Sequence, residues 1–257
     1  MIVHSSGDLA AIPGRTPGAM TMAAVDVEWS KNYRVKNGNV PFCYSVVWLT
    51  VPASETPLSL DAASFSYLSV YVDHTSETQD LITSADDTLA RLSGSADLVA
   101  GHQLCSDLAV LTRAAAHLPP AVSQWRTAWQ QRRLPARSRP SVIDTRYDIG
   151  HLLPGVSRRL VDVCADLRLD VTQPELRGTS MTALHRRWTE TGDATAREKI
   201  SVLNLRHSLS TAVAALYAAG LGRWDACLNV NQMLASGLGD AFAWTADPAF
   251  RVLLEDR

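Results

Sequence analysis

Residues 23–29 of the chain read Ala-Ala-Val-Asp-Val-Glu-Trp, so that two acids, Asp26 and Glu28, stand one residue apart among apolar neighbours. The pattern predicts a β-strand, in which side chains at positions i and i+2 point to the same face. Two carboxylates crowded on a buried strand are unfavourable unless a positive charge lies between them, and a divalent cation with oxygen ligands would supply it. A strand with one solvated face would show the same pattern, so the stretch alone leaves both interpretations open.

The composition indicates a globular chain with a large core. It has 257 residues and is 46% hydrophobic, enough for one large domain or for one domain with an extension. The formal net charge of −2 excludes a global basic field that would draw the chain to nucleic acid. No apolar run reaches the roughly 18 residues that span a bilayer, so no membrane partner is expected. The widely spaced cysteines favour buried thiols in a reducing, cytoplasmic compartment over a zinc site or a disulfide scaffold.

The order of the predicted elements defines the fold class. The acid-bearing strand is followed by runs of β-branched and aromatic residues at 42–51 and 64–72. Two short strands, 98–100 and 141–144, alternate with helices recognised by apolar residues at helical spacing. Three consecutive strands joined to two crossover strands predict an α/β architecture, a mixed five-stranded sheet with helices on its faces. The helices are predicted over residues 76–93, 104–118, 122–133, 156–167, 180–191, 194–219 and 223–238.

A basic, proline-containing stretch follows the predicted helix at 122–133. The fork-shaped guanidinium groups of this stretch suit contacts to phosphate, which predicts a surface that tracks a nucleic-acid backbone. A solvated arm without a binding role is the alternative interpretation. The arginines concerned are Arg126, Arg132, Arg133, Arg137 and Arg139.

A further acid follows the fourth predicted strand. Residues 101–111 read Gly-His-Gln-Leu-Cys-Ser-Asp-Leu-Ala-Val-Leu and place Asp107 about one turn into the next helix. Ligands of α/β sheets collect at strand ends where the topology switches, so we expect the carboxylate of Asp107 to face Asp26 and Glu28.

These motifs resemble the histidine-type DEDD (DEDDh) 3′→5′ exonucleases of the ribonuclease-H-like superfamily. The first motif of that family is Asp-x-Glu at the end of the first strand, which Asp26-Val27-Glu28 matches. Its second motif is Gly-His-Asn-x-x-Phe-Asp-x-x-x-Leu, of which residues 101–111 keep the Gly-His pair, the aspartate and the last leucine. The family also has a strand that ends in Asp-Thr, as residues 144–145 do here.

The third motif of the family, His-x-Ala-x-x-Asp, is degenerate in this chain. Residues 207–212 read His-Ser-Leu-Ser-Thr-Ala, so His207 is present but Ala212 stands where the family has its fourth acid. A second register pairs His185 with Glu190 and keeps an acid. We favour His207, because the His185 register lies ahead of a Thr-Gly-Asp break.

The resemblance implies a domain organisation. It covers roughly residues 23–221, which would form a ribonuclease-H-like domain. Residues 1–22 contain several glycines and prolines, lack the apolar core of a signal peptide and are predicted to be a flexible leader. Residues 222–257 would be a helical C-terminal extension.

The resemblance also implies chemistry with two Mg²⁺ or Mn²⁺ ions, one of them weakly held because the fourth acid is missing. Asp26 would contact both ions, Glu28 the nucleophile-side ion and Asp107 the second ion. His207 would deprotonate the attacking water. The substrates would be 3′ ends of single-stranded DNA or RNA, between which the sequence does not discriminate.

Two other interpretations stay open. One is a catalytically impaired relative that uses the same fold to bind nucleic acid or a protein partner. The other is an unrelated α/β protein. A homodimer is also an option that the sequence leaves open.

Overall fold

The computed structural model describes residues 1–7, 17–30, 38–52, 57–134 and 141–255. Within these ranges, six strands form one mixed sheet in the order β1-β4-β3-β2-β5-β6. Strands β1 to β4 pair antiparallel, and β5 and β6 run parallel to β2. The α/β class with a mixed, helix-flanked sheet is thus confirmed. The strands are β1 (Ile2–Ser5), β2 (Ala19–Ser30), β3 (Val40–Pro52), β4 (Ser66–Tyr71), β5 (Leu98–Gly101) and β6 (Ser141–Asp144).

The sixth strand corrects the prediction of a flexible leader over residues 1–22. Ile2–Ser5 pairs antiparallel with β4, and β2 begins at Ala19, four residues before the predicted strand. Without β1, the outer edge of β4 would present unpaired backbone N–H and C=O groups, and covering that edge satisfies them. Residues 8–16 lie outside the described residues.

Eight α-helices lie among the described residues; the last, Pro248–Arg251, was not predicted, and three ends of the other seven differ from the prediction by more than two residues. Helix α2 ends at Ala114, because Ala115 already has an extended backbone. Helix α4 begins at Leu160, after a 3₁₀ turn and irregular residues. Helix α7 begins at Val230, where the Asn229 side chain caps it. The helices are α1 (Thr78–Ser95), α2 (Leu104–Ala114), α3 (Pro120–Gln131), α4 (Leu160–Asp166), α5 (Met181–Thr191), α6 (Ala194–Ala218), α7 (Val230–Leu238) and α8 (Pro248–Arg251).

Two apolar clusters lie on opposite faces of the sheet. Ala23, Val25 and Val27 of β2 contribute to the cluster that contains residues of α1, α2 and α3. Met22 and Ala24 contribute to the other, which contains residues of α4, α6 and α7. By the alternation of a strand, Asp26 and Glu28 continue the face of Met22 and Ala24 and therefore point towards α6.

Helix α6 is 25 residues long and is buried along most of its length after Lys199. Polar side chains in such a helix need partners inside the protein. The guanidinium of Arg206, which is fully buried, donates to both carboxylate oxygens of Glu175, at 2.7 and 2.8 Å. It also donates to Asn231 Oδ1 at 2.6 Å, and Trp244 Nε1 donates to Glu175 at 2.8 Å. This network fixes the rotation of α6 about its own axis.

The segment after residue 221 packs on the same face of the sheet as α6. Phe242, Trp244 and Phe250 belong to the apolar cluster that contains Val213. The division of the chain at residue 222 stays a prediction. Among the described residues, no helix combines the length and the apolar character that a membrane crossing requires.

Candidate metal centre

Strand β2 and helix α6 bring two acids and one histidine together. His207 Nδ1 lies 3.1 Å from Glu28 Oε1 and 3.5 Å from Asp26 Oδ2. One ligand atom from each of the three residues lies within 4.8 Å of the others, which is close enough for a single metal ion. The three side chains are only 13–20% exposed, so the cluster is shielded from bulk solvent but remains open to it.

The pKa values of His207 and Glu28 in this cluster are strongly shifted. Burial lowers the pKa of His207, but its hydrogen bonds to Asp26 and Glu28 and their charges outweigh this and raise the pKa to about 10. Burial raises the pKa of Glu28 to about 7, opposed by the bond to His207 and assisted by the charge of Asp26. His207 therefore carries the positive charge that the two crowded acids require when no other cation is bound.

The other nitrogen of His207 faces a residue that the sequence analysis missed. Gln173 Nε2 lies 3.1 Å from His207 Nε2. A neutral ring can accept from this amide nitrogen, and a protonated ring can donate to the amide oxygen once the Gln173 side chain turns over. Gln173 therefore orients the imidazole in either protonation state. It lies beside Pro174–Leu176, the turn that carries the Glu175 partner of Arg206.

Asp107 lies in the first turn of α2 and is 3% exposed. Its Oδ2 is buried and has no hydrogen-bond partner in the described part of the chain. Burial, followed by the negative charges of Asp26 and Glu28, raises the pKa of Asp107 well above its usual value. A buried carboxylate oxygen without a partner, electrostatically coupled to two other acids, is stabilised by a cation. Asp26, Glu28 and His207 form the group that could hold a metal ion, and carboxylate oxygens are the ligands that Mg²⁺ and Mn²⁺ prefer.

Two polar residues near the ends of β5 and β6, Asp144 and His102, have partners within the fold. Asp144 is fully buried, and its carboxylate accepts from the Gln103 and Arg146 main-chain N–H groups and from Trp129 Nε1. These bonds hold the ends of β5 and β6 together. His102 Nδ1 lies 3.0 Å from Thr145 Oγ1, and burial lowers the pKa of His102 to about 4, so its ring is neutral at neutral pH.

Asn204 is the second residue that the sequence analysis missed. It is fully buried on α6, and its Nδ2 donates to Asp26 Oδ2 at 2.6 Å. Asn204 precedes His207 by three residues, and residues three apart share a face of a helix. That spacing was the only signal in the sequence for its place beside the acids.

His185 and Glu190, the alternative match to the third motif, do not lie beside Asp26 and Glu28. The ring of His185 stacks on Phe42 at 4.0 Å, and its Nδ1 lies 2.8 Å from the Tyr71 hydroxyl, while Glu190 is exposed. Ala212 is fully buried in the apolar cluster on the α6 face. The geometry therefore places His207 at the acids and leaves position 212 in the core.

The predicted arginine surface is corrected in part. The Arg132 side chain is only 7% exposed, because it donates to Asp148 at 2.7 Å and lies over the Trp129 ring. Arg133 is more exposed, but it donates to the same carboxylate and to the Tyr147 carbonyl. Arg132 is thus part of the structure rather than a free phosphate contact, and Arg126 is exposed. The two remaining residues, Arg137 and Arg139, lie outside the described residues.

Comparison with protein-family models, with curated proteins and with solved structures finds no match to this chain.

The burial of His185 predicts a pH dependence of stability. Burial lowers its pKa from 6.5 to about 4, so the unfolded chain binds this proton first as the pH falls. The free energy of unfolding should therefore decrease between about pH 6.5 and about pH 4. His185→Gln removes the titration and should make this decrease shallower in urea unfolding curves measured across that range. Equal slopes for the wild type and the variant would contradict the assignment.

The position of Ala212 predicts the effect of adding the missing acid there. Ala212→Asp places a carboxyl group in an apolar cluster and should lower the free energy of unfolding by about 3 kcal/mol, and Mn²⁺ should raise its melting temperature by no more than it raises that of the wild type. Ala194→Asp, at the exposed first turn of the same helix, is the matched control and should leave stability nearly unchanged. Thermal melts with EDTA and with Mn²⁺ test both variants. A larger rise in melting temperature with Mn²⁺ for Ala212→Asp than for the wild type would show instead that position 212 reaches an ion.

Proposed function

We propose that the chain is a metal-dependent 3′→5′ exonuclease that hydrolyses phosphodiester bonds at the 3′ ends of single-stranded DNA or RNA. The observation that carries this proposal is the convergence of Asp26, Glu28 and His207, with the buried Asp107 electrostatically coupled to them. These are the residues that match the three DEDDh motifs. Asp26 and Glu28 meet His207 although β2 and α6 are far apart in the chain.

The sheet supports the same proposal. Strands β4, β3 and β2 form an antiparallel meander, and β5 and β6 follow β2 in parallel. A meander joined to two crossover strands is the arrangement implied by the ribonuclease-H-like resemblance. Strand β1 is an addition at the edge opposite β6 and does not alter the order of the other five.

The proposed mechanism assigns each residue a role. Asp26 and Glu28 would hold the principal ion, and Asp107 would help to hold a second one. Divalent ions in such sites lower the pKa of water and stabilise the charge that develops on the phosphate. His207 would accept the proton of the attacking water. Neutralisation of Asp26 and Glu28 by a cation weakens the interactions that raise the pKa of His207, so the imidazole can be an unprotonated base near neutral pH.

A reducing, cytoplasmic setting accords with the cysteines. All four are free, and Cys43 and Cys164 are buried. Buried thiols without a disulfide partner favour a compartment that does not oxidise them.

A specific observation favours a second candidate function, a catalytically impaired module that binds nucleic acid or a protein. Position 212 lacks the fourth acid and lies in the core, and His207 already balances Asp26 and Glu28. A cluster that is balanced without a metal can persist after catalysis has been lost.

The proposal is tested by incubating the full chain with 5′-labelled single strands of DNA and of RNA. We expect stepwise shortening from the 3′ end with Mg²⁺ or Mn²⁺ and none in EDTA. Asp26→Asn should lower the rate about a hundredfold or more, because about 2.7 kcal/mol of transition-state stabilisation corresponds to that factor. Asp162→Asn, in the partly exposed first turn of α4, is the control and should retain the wild-type rate.

Cleavage that survives in EDTA or in Asp26→Asn would contradict the mechanism. Retention of labelled strands without cleavage, in the presence of either ion, would favour the binding module.

A further inference from the structure

Asn204 occupies an unusual position for an uncharged residue. Its amide is fully buried, with Nδ2 2.6 Å from Asp26 Oδ2 and 3.4 Å from the Asp26 main-chain oxygen. Its other end, Oδ1, lies 3.5 Å from Cys43 Sγ. Asp26 Oδ2 is also the atom that lies 3.5 Å from His207 Nδ1. The amide and the imidazole therefore approach the same carboxylate oxygen from one face of α6.

The two ends of the Asn204 amide can exchange places without any change in the backbone, because the oxygen and the NH₂ group have nearly the same shape. After such a turn Oδ1 would lie beside Asp26 Oδ2, and Nδ2 would lie beside the sulfur of Cys43, a weak acceptor. Two oxygens at that separation repel each other unless a cation lies next to both. The NH₂ group is thus favoured beside Asp26 in the metal-free protein, and Oδ1 is favoured when a cation is bound.

The charge of the site supports this role. Asp26 and Glu28 together carry two negative charges when ionised, which balance one divalent ion. A neutral amide oxygen can complete the coordination without adding a third charge, and such oxygens are ordinary ligands of hard cations. An additional carboxylate at that place would increase the repulsion within the metal-free site.

We propose that Asn204 is a ligand of the ion held by Asp26 and Glu28, and that its Oδ1 replaces the family's missing fourth carboxylate. The replacement comes from the helical turn that precedes His207, whereas the family motif has its acid after the histidine. This proposal deepens the proposed function and depends on the same ion, but it is tested by ion binding and not by cleavage.

The competing role for Asn204 is that of a donor that only positions Asp26. The two roles predict different orders of ion affinity for two variants of Asn204. Asn204→Asp can be a ligand but cannot donate, and Asn204→Ala can do neither. A ligand role therefore keeps or strengthens ion binding in the Asp variant alone, whereas a donor role weakens binding in both variants.

The experiment measures Mn²⁺ binding to the full chain by electron paramagnetic resonance of the free ion. We expect Asn204→Asp to bind Mn²⁺ about tenfold more tightly than the wild type, and Asn204→Ala about tenfold more weakly. Asn231→Asp is the matched control, because Asn231 is also fully buried but contacts Arg206. This control should bind Mn²⁺ as the wild type does.

Stability adds a second readout. Asn204→Asp should melt at a lower temperature than the wild type in EDTA, because the new carboxylate lies beside Asp26, and saturating Mn²⁺ should restore its melting temperature. If Asn204→Ala does not fold, Asn204→Ser carries the same expectation of weak binding. Its hydroxyl is too short to reach the ion and can bond within the helix.

Equal weakening in the Asp and Ala variants, or no change in either, would overturn the proposal, as would a wild type that binds no Mn²⁺. The failure of the exonuclease proposal is a separate result. If the wild type and the variants show the expected order of Mn²⁺ affinities but the wild type cleaves no strand, the proposal that Asn204 is a ligand stands. Only the proposed exonuclease activity is then contradicted.

Discussion

The structure depends on how the protein compensates two carboxylates on one face of a largely buried strand. Asp26 and Glu28 cannot both be ionised there without a partner, since their mutual repulsion and their desolvation add. In the metal-free protein the partners come from α6, as the charge of His207 and the amide of Asn204. A divalent cation would balance the two negative charges more completely. The three residues Asp26, Glu28 and His207 could therefore hold a metal ion.

This compensation works only if α6 has one fixed rotation. On the sheet side, the Ser45 hydroxyl donates to the Asn204 carbonyl at 3.1 Å and bonds the Ser208 hydroxyl at 2.8 Å. Elsewhere on α6, the buried ion pair of Arg206 and Glu175 extends to residues of α7 and the C-terminal segment. Removing one member of such a pair leaves an uncompensated buried charge, which typically destabilises a protein by about 3–5 kcal/mol. The segment after residue 221 therefore contributes to the geometry of the site without contributing a ligand.

The sequence predicted what depends on local pattern. The acid pair follows from the period of a strand, and the place of Asp107 in the first turn of α2 follows from the strand-to-helix junction before it. It did not predict what depends on tertiary partners. Arg132 looked like a free cation because nothing in the sequence marks Asp148 as its partner. The edge strand Ile2–Ser5 was not predicted because the glycines and prolines that follow it indicate an irregular leader. Asn204 was not predicted because the family's third motif has its acid at position 212.

The proposed divalent ion is held by Asp26 and Glu28, with His207 beside it as the base. The most direct test is a crystal of the full chain soaked in Mn²⁺, with diffraction recorded so that manganese gives an anomalous signal. We expect a peak within about 2.0–2.6 Å of carboxylate oxygens of both Asp26 and Glu28, in the range of hard-cation coordination. Their hydrogen bonds to His207 should be lengthened or lost in the same crystal. A fully soaked crystal without a peak there, in which His207 still bridges the two carboxylates, would show that these acids do not hold a divalent ion.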